Sequence, residues 1–266
     1  MKKKCPRCDN TKLYEVRRNK LKCSVCKYEW RPDRLPLLLN RKQWREIIRF
    51  LVLGLSSNKI SEQTGLNINR ISRALTIIRK AMYSWKPEPF SGIVEVDETY
   101  LGGQWKNKRQ ENRAQSTKRG KGTSKQPVFG ILCRDGYVWA EVVADTATET
   151  LMPIILGKVE PGSVVCSDNW KAYTGVASSG FVHRLVDHGR CEWSDHKGGH
   201  VNGLEGFWGY LKRQLASKGG IRRERLPLFL AEYVWKYNHR KETTSYQVRL
   251  LLKMISDAML NGNVSG

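Results

Sequence analysis

Apolar positions recur at helical spacing in several stretches of this chain, and between them lie short β-branched runs bounded by Gly and Pro. Trp44, Ile47, Ile48, Leu51 and Leu55 form one stripe with the three-four spacing of a buried helix face. Ser57 is placed to cap a short second helix through Ile60 and Gln63, which Gly65 breaks, and Asn67 opens a third beginning Ile68-Asn69-Arg70-Ile71. Pro87 and Pro89 mark a boundary. After it, strands are expected over Ile93–Leu101, Val128–Cys133, Tyr137–Ala144, Ser163–Ser167 and Phe181–Val186, with a helix over Thr148–Leu156 before the fourth. Val201, Leu204, Trp208, Leu211 and Leu215 then define a helix over His200–Leu215, and Leu226–Asn238 and Tyr246–Leu260 read as closing helices.

One strand breaks its own pattern. Asp97 interrupts Gly92-Ile93-Val94-Glu95-Val96-Asp97-Glu98-Thr99-Tyr100-Leu101, and Asp is disfavoured in strands and costly to bury unpaired. A strand end, a salt bridge or a metal site would each explain it.

The 266 residues suffice for one ordinary domain and one or two small ones. Lys and Arg number 47 against 25 Asp and Glu, a formal charge of +22. That excess points to a polyanion, because each phosphate neutralised releases counterions. The competing anionic membrane would require a basic amphipathic anchor, whereas here the cations are spread along the chain. No apolar run is long enough to span a bilayer, and Cys5-Pro6-Arg7-Cys8 follows the N-terminal lysines where a signal peptide would be apolar, so a cytoplasmic, nucleoid-associated protein is expected.

Four of the seven cysteines form Cys5-x-x-Cys8 and Cys23-x-x-Cys26 with 14 residues between the pairs. Two such turns aim four thiolates at one tetrahedral ion, so residues 1–32 read as a zinc ribbon holding one structural Zn²⁺. Cys133, Cys166 and Cys191 read as small core residues. Residues 38–86 have the layout of a helix-turn-helix, with Asn67, Asn69, Arg70 and Arg73 as candidate base and phosphate contacts, or else form a plain helical packing module. Residues 104–126 are polar and densely basic, which predicts a mobile loop that clamps a phosphate backbone or is simply solvated; Lys118, Arg119 and Lys121 are its candidate DNA contacts.

Three strands, a helix, a strand ending at Asp168 and a later helix carrying Glu205 is the element order of an RNase H-like, integrase-type fold: a mixed α/β sheet flanked by helices, over residues 90–262. In that fold the first and fourth strands are neighbours, which would bring Asp97 beside Asp168. Three converging carboxylates cannot all ionise cheaply without cations, and two Mg²⁺ (or Mn²⁺) ions about 4 Å apart would activate a nucleophile and steady a leaving oxygen at phosphorus. Lys212 follows Glu205 by seven residues and projects from the same side of the helix about 10 Å along it, with Arg213 beside it as a further phosphate contact.

The motifs V-E-V-D-E-T-Y-L-G-G, S-D-N-W-K-A-Y, H-V-N-G-L-E-G-F-W-G-Y-L-K-R and Y-N-H-R, in this order behind a zinc ribbon, resemble the DDE-type bacterial insertion-sequence transposases related to the Merlin group. The resemblance covers nearly the whole chain. It implies a transposase that binds terminal inverted repeats and performs metal-dependent strand cleavage and strand transfer on double-stranded DNA, transposon ends and target alike, as a homo-oligomer. It also implies Asp97 and Asp168 as metal ligands and Lys212 near the DNA. Relatives place Glu, Asn or His at the third ligand position. Glu205 is favoured here for its charge and its register with Lys212, with Asn202 in reserve. His188 and His200 either orient water or phosphate or are ordinary surface histidines. Two rivals remain: a catalytically inactive zinc-ribbon DNA-binding regulator derived from a transposase, and a nuclease acting on RNA–DNA hybrids.

Overall fold

The computed structural model describes residues 4–17, 20–31, 35–102, 125–133, 136–167, 176, 179–185 and 203–260. They fall into two compact units, one of Met1–Trp85 with His239–Gly266 and one of Lys86–Asn238.

The first unit begins with a three-stranded antiparallel sheet of β1 (Leu13–Val16), β2 (Lys20–Cys23) and β3 (Glu29–Trp30). Among its described residues only Cys5, Leu21 and Cys23 are buried, far too little apolar surface to hold a fold together. Helices follow. Asn40 caps α1 (Arg41–Val52) in a reciprocal capping box with Gln43, and Trp44, Ile47, Ile48 and Leu51 form its buried stripe as the periodicity requires. The cap of α2 (Ser57–Thr64) is Ser56, one residue before the expected Ser57: its hydroxyl accepts the Lys59 N–H. Gly65 ends α2 in the left-handed conformation at φ 66°. Asn67 caps α3 (Ile68–Ser84), whose buried face includes Ile71, Leu75, Ile78 and Met82.

The Lys86–Asn238 unit is built on a five-stranded mixed sheet. Its strands are β4 (Ile93–Leu101), β5 (Gln126–Cys133), β6 (Val138–Val142), β7 (Val164–Ser167) and β8 (Val182–Leu185), in the order β6-β5-β4-β7-β8. The first three pair antiparallel; β7 pairs parallel to β4, and β8 parallel to β7. The expected adjacency of the first and fourth strands is therefore present, with Glu95 opposite Cys166. Helix α4 (Thr148–Lys158) covers one face, where Val94, Val96, Phe129, Ile131, Leu151, Ile155 and Val165 form a core. Helices α5 (Gly203–Ala216) and α6 (Leu226–Asn238) cover the other, with Leu101, Val128, Leu204, Phe207, Trp208, Leu211 and Leu230. Phe207 was missed by the periodicity, which assigned Leu215 to the stripe; Leu215 is only half-buried.

A side chain at its C-terminal end ties α6 to the sheet, and an ion pair lies within the helix. Asn238, from the Y-N-H-R motif, accepts the Val138 N–H and donates to the Val138 carbonyl, each at 2.8 Å, and so completes the backbone pairing of an edge strand. Fully buried Glu232 is paired with Lys236 at 2.7 Å. Burial and the Glu232 charge push the Tyr210 hydroxyl up to about 12.

The last helix, α7 (Thr244–Leu260), lies within the range 90–262 assigned to the sheet-containing domain, but it packs on α1 and α3 in the first unit. Its buried Leu251, Leu252 and Ile255 complete the core that three short helices begin. Helical periodicity identifies an apolar stripe and is silent on which stripe it meets.

Candidate functional site

The face of β4 opposite Val94 and Val96 presents Glu95 and Asp97 toward α5. Both are half-buried, and both are held by that helix. Glu95 Oε2 accepts the Leu204 N–H at 3.1 Å, one of the amides that a first helical turn leaves without an internal partner, and a carboxylate there also meets the positive end of the helix dipole. A Cβ at Gly203 would come within 3.1 Å of Glu95 Oε2 and 2.7 Å of Leu132 Cδ2, so a side chain at the first residue of α5 would displace these groups. Asp97 Oδ2 accepts the Trp208 indole N–H at 2.9 Å. The Trp208 ring lies over Gly130, the cross-strand partner of Asp97; a Cβ on Gly130 would stand 2.6 Å from the ring. Sequence reasoning took Trp208 as core only and gave Glu95 no role. The signals were a strand glycine opposite an out-of-place acid and a glutamate two residues before it.

Glu205, Lys212 and Arg213 are exposed on α5; Glu205 follows directly on Leu204, and Lys212 and Arg213 lie a turn beyond Trp208. The opposite end of the site begins at β7. Ser167, its last residue, is buried and shares a 2.9 Å hydrogen bond with His183 Nε2 on β8, where burial pushes the imidazole below its usual range. Asp168, His188, His200 and Asn202 lie outside the described residues, as do Lys118, Arg119 and Lys121 in the basic loop. Among the described residues the structure brings no three carboxylates together.

The four ribbon cysteines do converge. Their sulfurs all lie within 4.8 Å of one another, with Cys5 and Cys26 at 3.5 Å and Cys8 and Cys23 at 3.5 Å. Zn–S bonds of about 2.3 Å in a tetrahedron put sulfurs about 3.8 Å apart, so the donor set fits zinc. The surroundings fit thiolates: Cys5 Sγ accepts the Arg7 N–H at 3.5 Å, and Cys23 Sγ accepts the Val25 N–H at 3.4 Å and the Asn10 amide at 3.5 Å. Burial raises the Cys23 thiol, but these donors, the Cys26 backbone and the neighbouring Cys8 outweigh it and bring the group down to about 6, while Cys8, although an Asn10 backbone hydrogen bond lowers it, is pushed up to about 12 by the other three thiols and burial.

On α3, Asn67, Asn69, Arg70 and Arg73 are all exposed. Asn67 already spends its side-chain oxygen on the Asn69 N–H at 2.8 Å as the helix cap. Asn69, Arg70 and Arg73 are left to present outward.

Residues 89–238 match the model of the ISXO2-like transposase domain, over almost the same span as the sheet-containing unit. The chain belongs to the ISXO2-like transposase-domain family. An uncharacterized transposase-like protein of Haemophilus influenzae is 30% identical to this transposase-family chain over 123 residues, which is 46% of this chain and 97% of that protein. A crystal structure of a pre-cleavage Mos1 transpososome aligns over 82% of this chain and 78% of its own, at 10% identity and a TM-score of 0.25. No described helix of this transposase-family protein is long and apolar enough to cross a membrane.

Proposed function

We propose that this protein is a DNA transposase whose Lys86–Asn238 unit, of RNase H-like topology, cleaves and joins phosphodiester bonds at transposon ends, and whose ribbon and helix-turn-helix read the terminal repeats. The observation that carries this reading is the acid-bearing face of β4 clamped to α5 through Asp97 and Glu95. Asp168 follows directly on the last residue of β7, the parallel neighbour of β4. Asp97, Asp168 and Glu205, with Asn202 as alternative to the last, would hold two divalent cations, and these supply charge neutralisation at phosphorus and a more acidic water.

The chain's own residues do the rest. The Trp208 and Glu95 hydrogen bonds set the distance between the strand acid and the helix that carries Glu205. Lys212 and Arg213, exposed on that helix, bind phosphate oxygens flanking the scissile bond. Asn69, Arg70 and Arg73 enter the major groove, and the charge of +22 supports backbone contact along the duplex. Cleavage frees a 3′-hydroxyl, which then attacks target DNA in line, a step in which positioning contributes most. Two ends must be held at once, so the active form is a homo-oligomer.

The test is Mg²⁺-dependent cutting of a duplex carrying the DNA that flanks the gene. Wild-type protein is expected to nick at the repeat and leave a 3′-hydroxyl. Asp97→Ala and Asp168→Ala are expected to lose at least about 100-fold in rate, since partners outside the ligand sphere alone are worth about 10- to 100-fold. Comparing Glu205→Ala with Asn202→Ala assigns the third ligand. Cutting at wild-type rate by Asp97→Ala would overturn the reading, and repeat binding without any Mg²⁺-dependent cutting would favour the inactive regulator.

A further inference from the structure

Three observations meet at Asp97. The first is the indole N–H of Trp208, a donor with no acceptor capacity, placed 2.9 Å from Oδ2. The second is Gly130, a glycine in the middle of a central strand, where it forfeits side-chain packing and lowers strand stability. The third is the reason for that glycine: any Cβ there would stand 2.6 Å from Cζ2 and Cη2 of the same indole. Burying an aromatic ring on this face would not require them, because a Phe at 208 over an Ala at 130 would fill similar space. Glycine and indole together let the ring lie low enough over β5 for its nitrogen to reach across to β4.

We propose that Trp208 is a positioning residue for Asp97. Its N–H holds one carboxylate oxygen in a fixed place, so that the acid is presented to a cation in a single rotamer rather than searching several, and Gly130 is the space that permits it. This rests on the reading of Asp97 as a divalent-cation ligand. It adds a specific prediction: cation binding depends on the indole N–H, and on the residue at 130, separately from the packing both provide.

The probe is Mn²⁺ alone, added to the full-length zinc-loaded chain, with free Mn²⁺ followed by electron paramagnetic resonance and Tm measured in parallel. Trp208→Phe keeps a ring and removes the donor; it is expected to weaken Mn²⁺ binding by about 10-fold, the lower end for partners that orient metal ligands. Gly130→Ala keeps the donor and displaces the ring, and is expected to weaken it to a similar extent. The double variant should lose little more than either single one, because both break the same bond. Lys236→Ala removes the partner of fully buried Glu232 on α6 without touching Trp208's hydrogen bond, and should lower Tm while leaving Mn²⁺ binding as it was. Wild-type affinity in Trp208→Phe, or equal weakening in Lys236→Ala, would overturn the proposal and leave the metal reading standing. Mn²⁺ binding that persists undiminished in Asp97→Ala would remove both. Should Trp208→Phe not fold, Gly130→Ala carries the test with the same two outcomes.

Discussion

The ribbon and the sheet-containing unit hold their candidate sites together in opposite ways. In the ribbon, four thiols come from two short turns, and the candidate site precedes the fold: among the described residues almost nothing apolar is buried, so an ion held by the sulfurs would supply the stability. In the Lys86–Asn238 unit the fold precedes the site. Two apolar cores sandwich the sheet, and only then do Glu95 and Asp97 meet Leu204 and Trp208 across 109 and 111 residues of chain. Loss of the candidate ligands is therefore expected to leave the second folded and to unfold the first.

That contrast is open to direct attack. The largest effect should come from Cys23→Ser or strong chelation: wild-type protein is expected to carry about one zinc per chain and the variant none, and amide protection is expected to vanish over the ribbon while β4, β5 and β7 keep theirs. A structural zinc is worth about 10–16 kcal/mol of folding free energy. Hydrogen exchange resolved by segment checks this, and a ribbon that stays protected without metal would erase the distinction.

Next in size is Lys236→Ala, which leaves the carboxylate of fully buried Glu232 without its 2.7 Å partner. Removing one member of a buried pair costs about 3–5 kcal/mol. Denaturant melts should show that loss in the sheet-containing unit alone, with zinc content unchanged. Asn238→Ala should cost about 1–3 kcal/mol, the penalty for leaving the Val138 amide and carbonyl unsatisfied at a sheet edge, and should raise exchange at β6 before the rest of the sheet. The smallest effect is expected from Asn40→Ala, which breaks the α1 capping box for about 1 kcal/mol. It should leave both candidate sites as they are.

What could be read from the chain follows the same division. C-x-x-C turns, caps and apolar stripes depend on residues within a turn or two of one another, so spacing encodes them; the four thiols converge, and Trp44, Ile47, Ile48 and Leu51 are the buried face of α1, although Leu55 lies past its end and is only half-buried. Errors of one position, such as Ser57 for Ser56, arise because neighbouring residues compete for the same cap. Trp208 looked like core because its ring is core; that its nitrogen serves Asp97 depends on the register pairing Asp97 with Gly130. Asn238 carried no local sign of its edge-strand role for the same reason.

The amino-acid sequence by itself determined the four-thiol set, the order of strands and helices, the strong positive charge and the acids worth suspecting, since each rests on residue type and short spacing. Only the tertiary structure decided that α7 completes the helical unit and that an indole and a helix amide hold the two acids of β4. Those contacts join residues far apart in sequence, and no local pattern encodes which buried faces will meet.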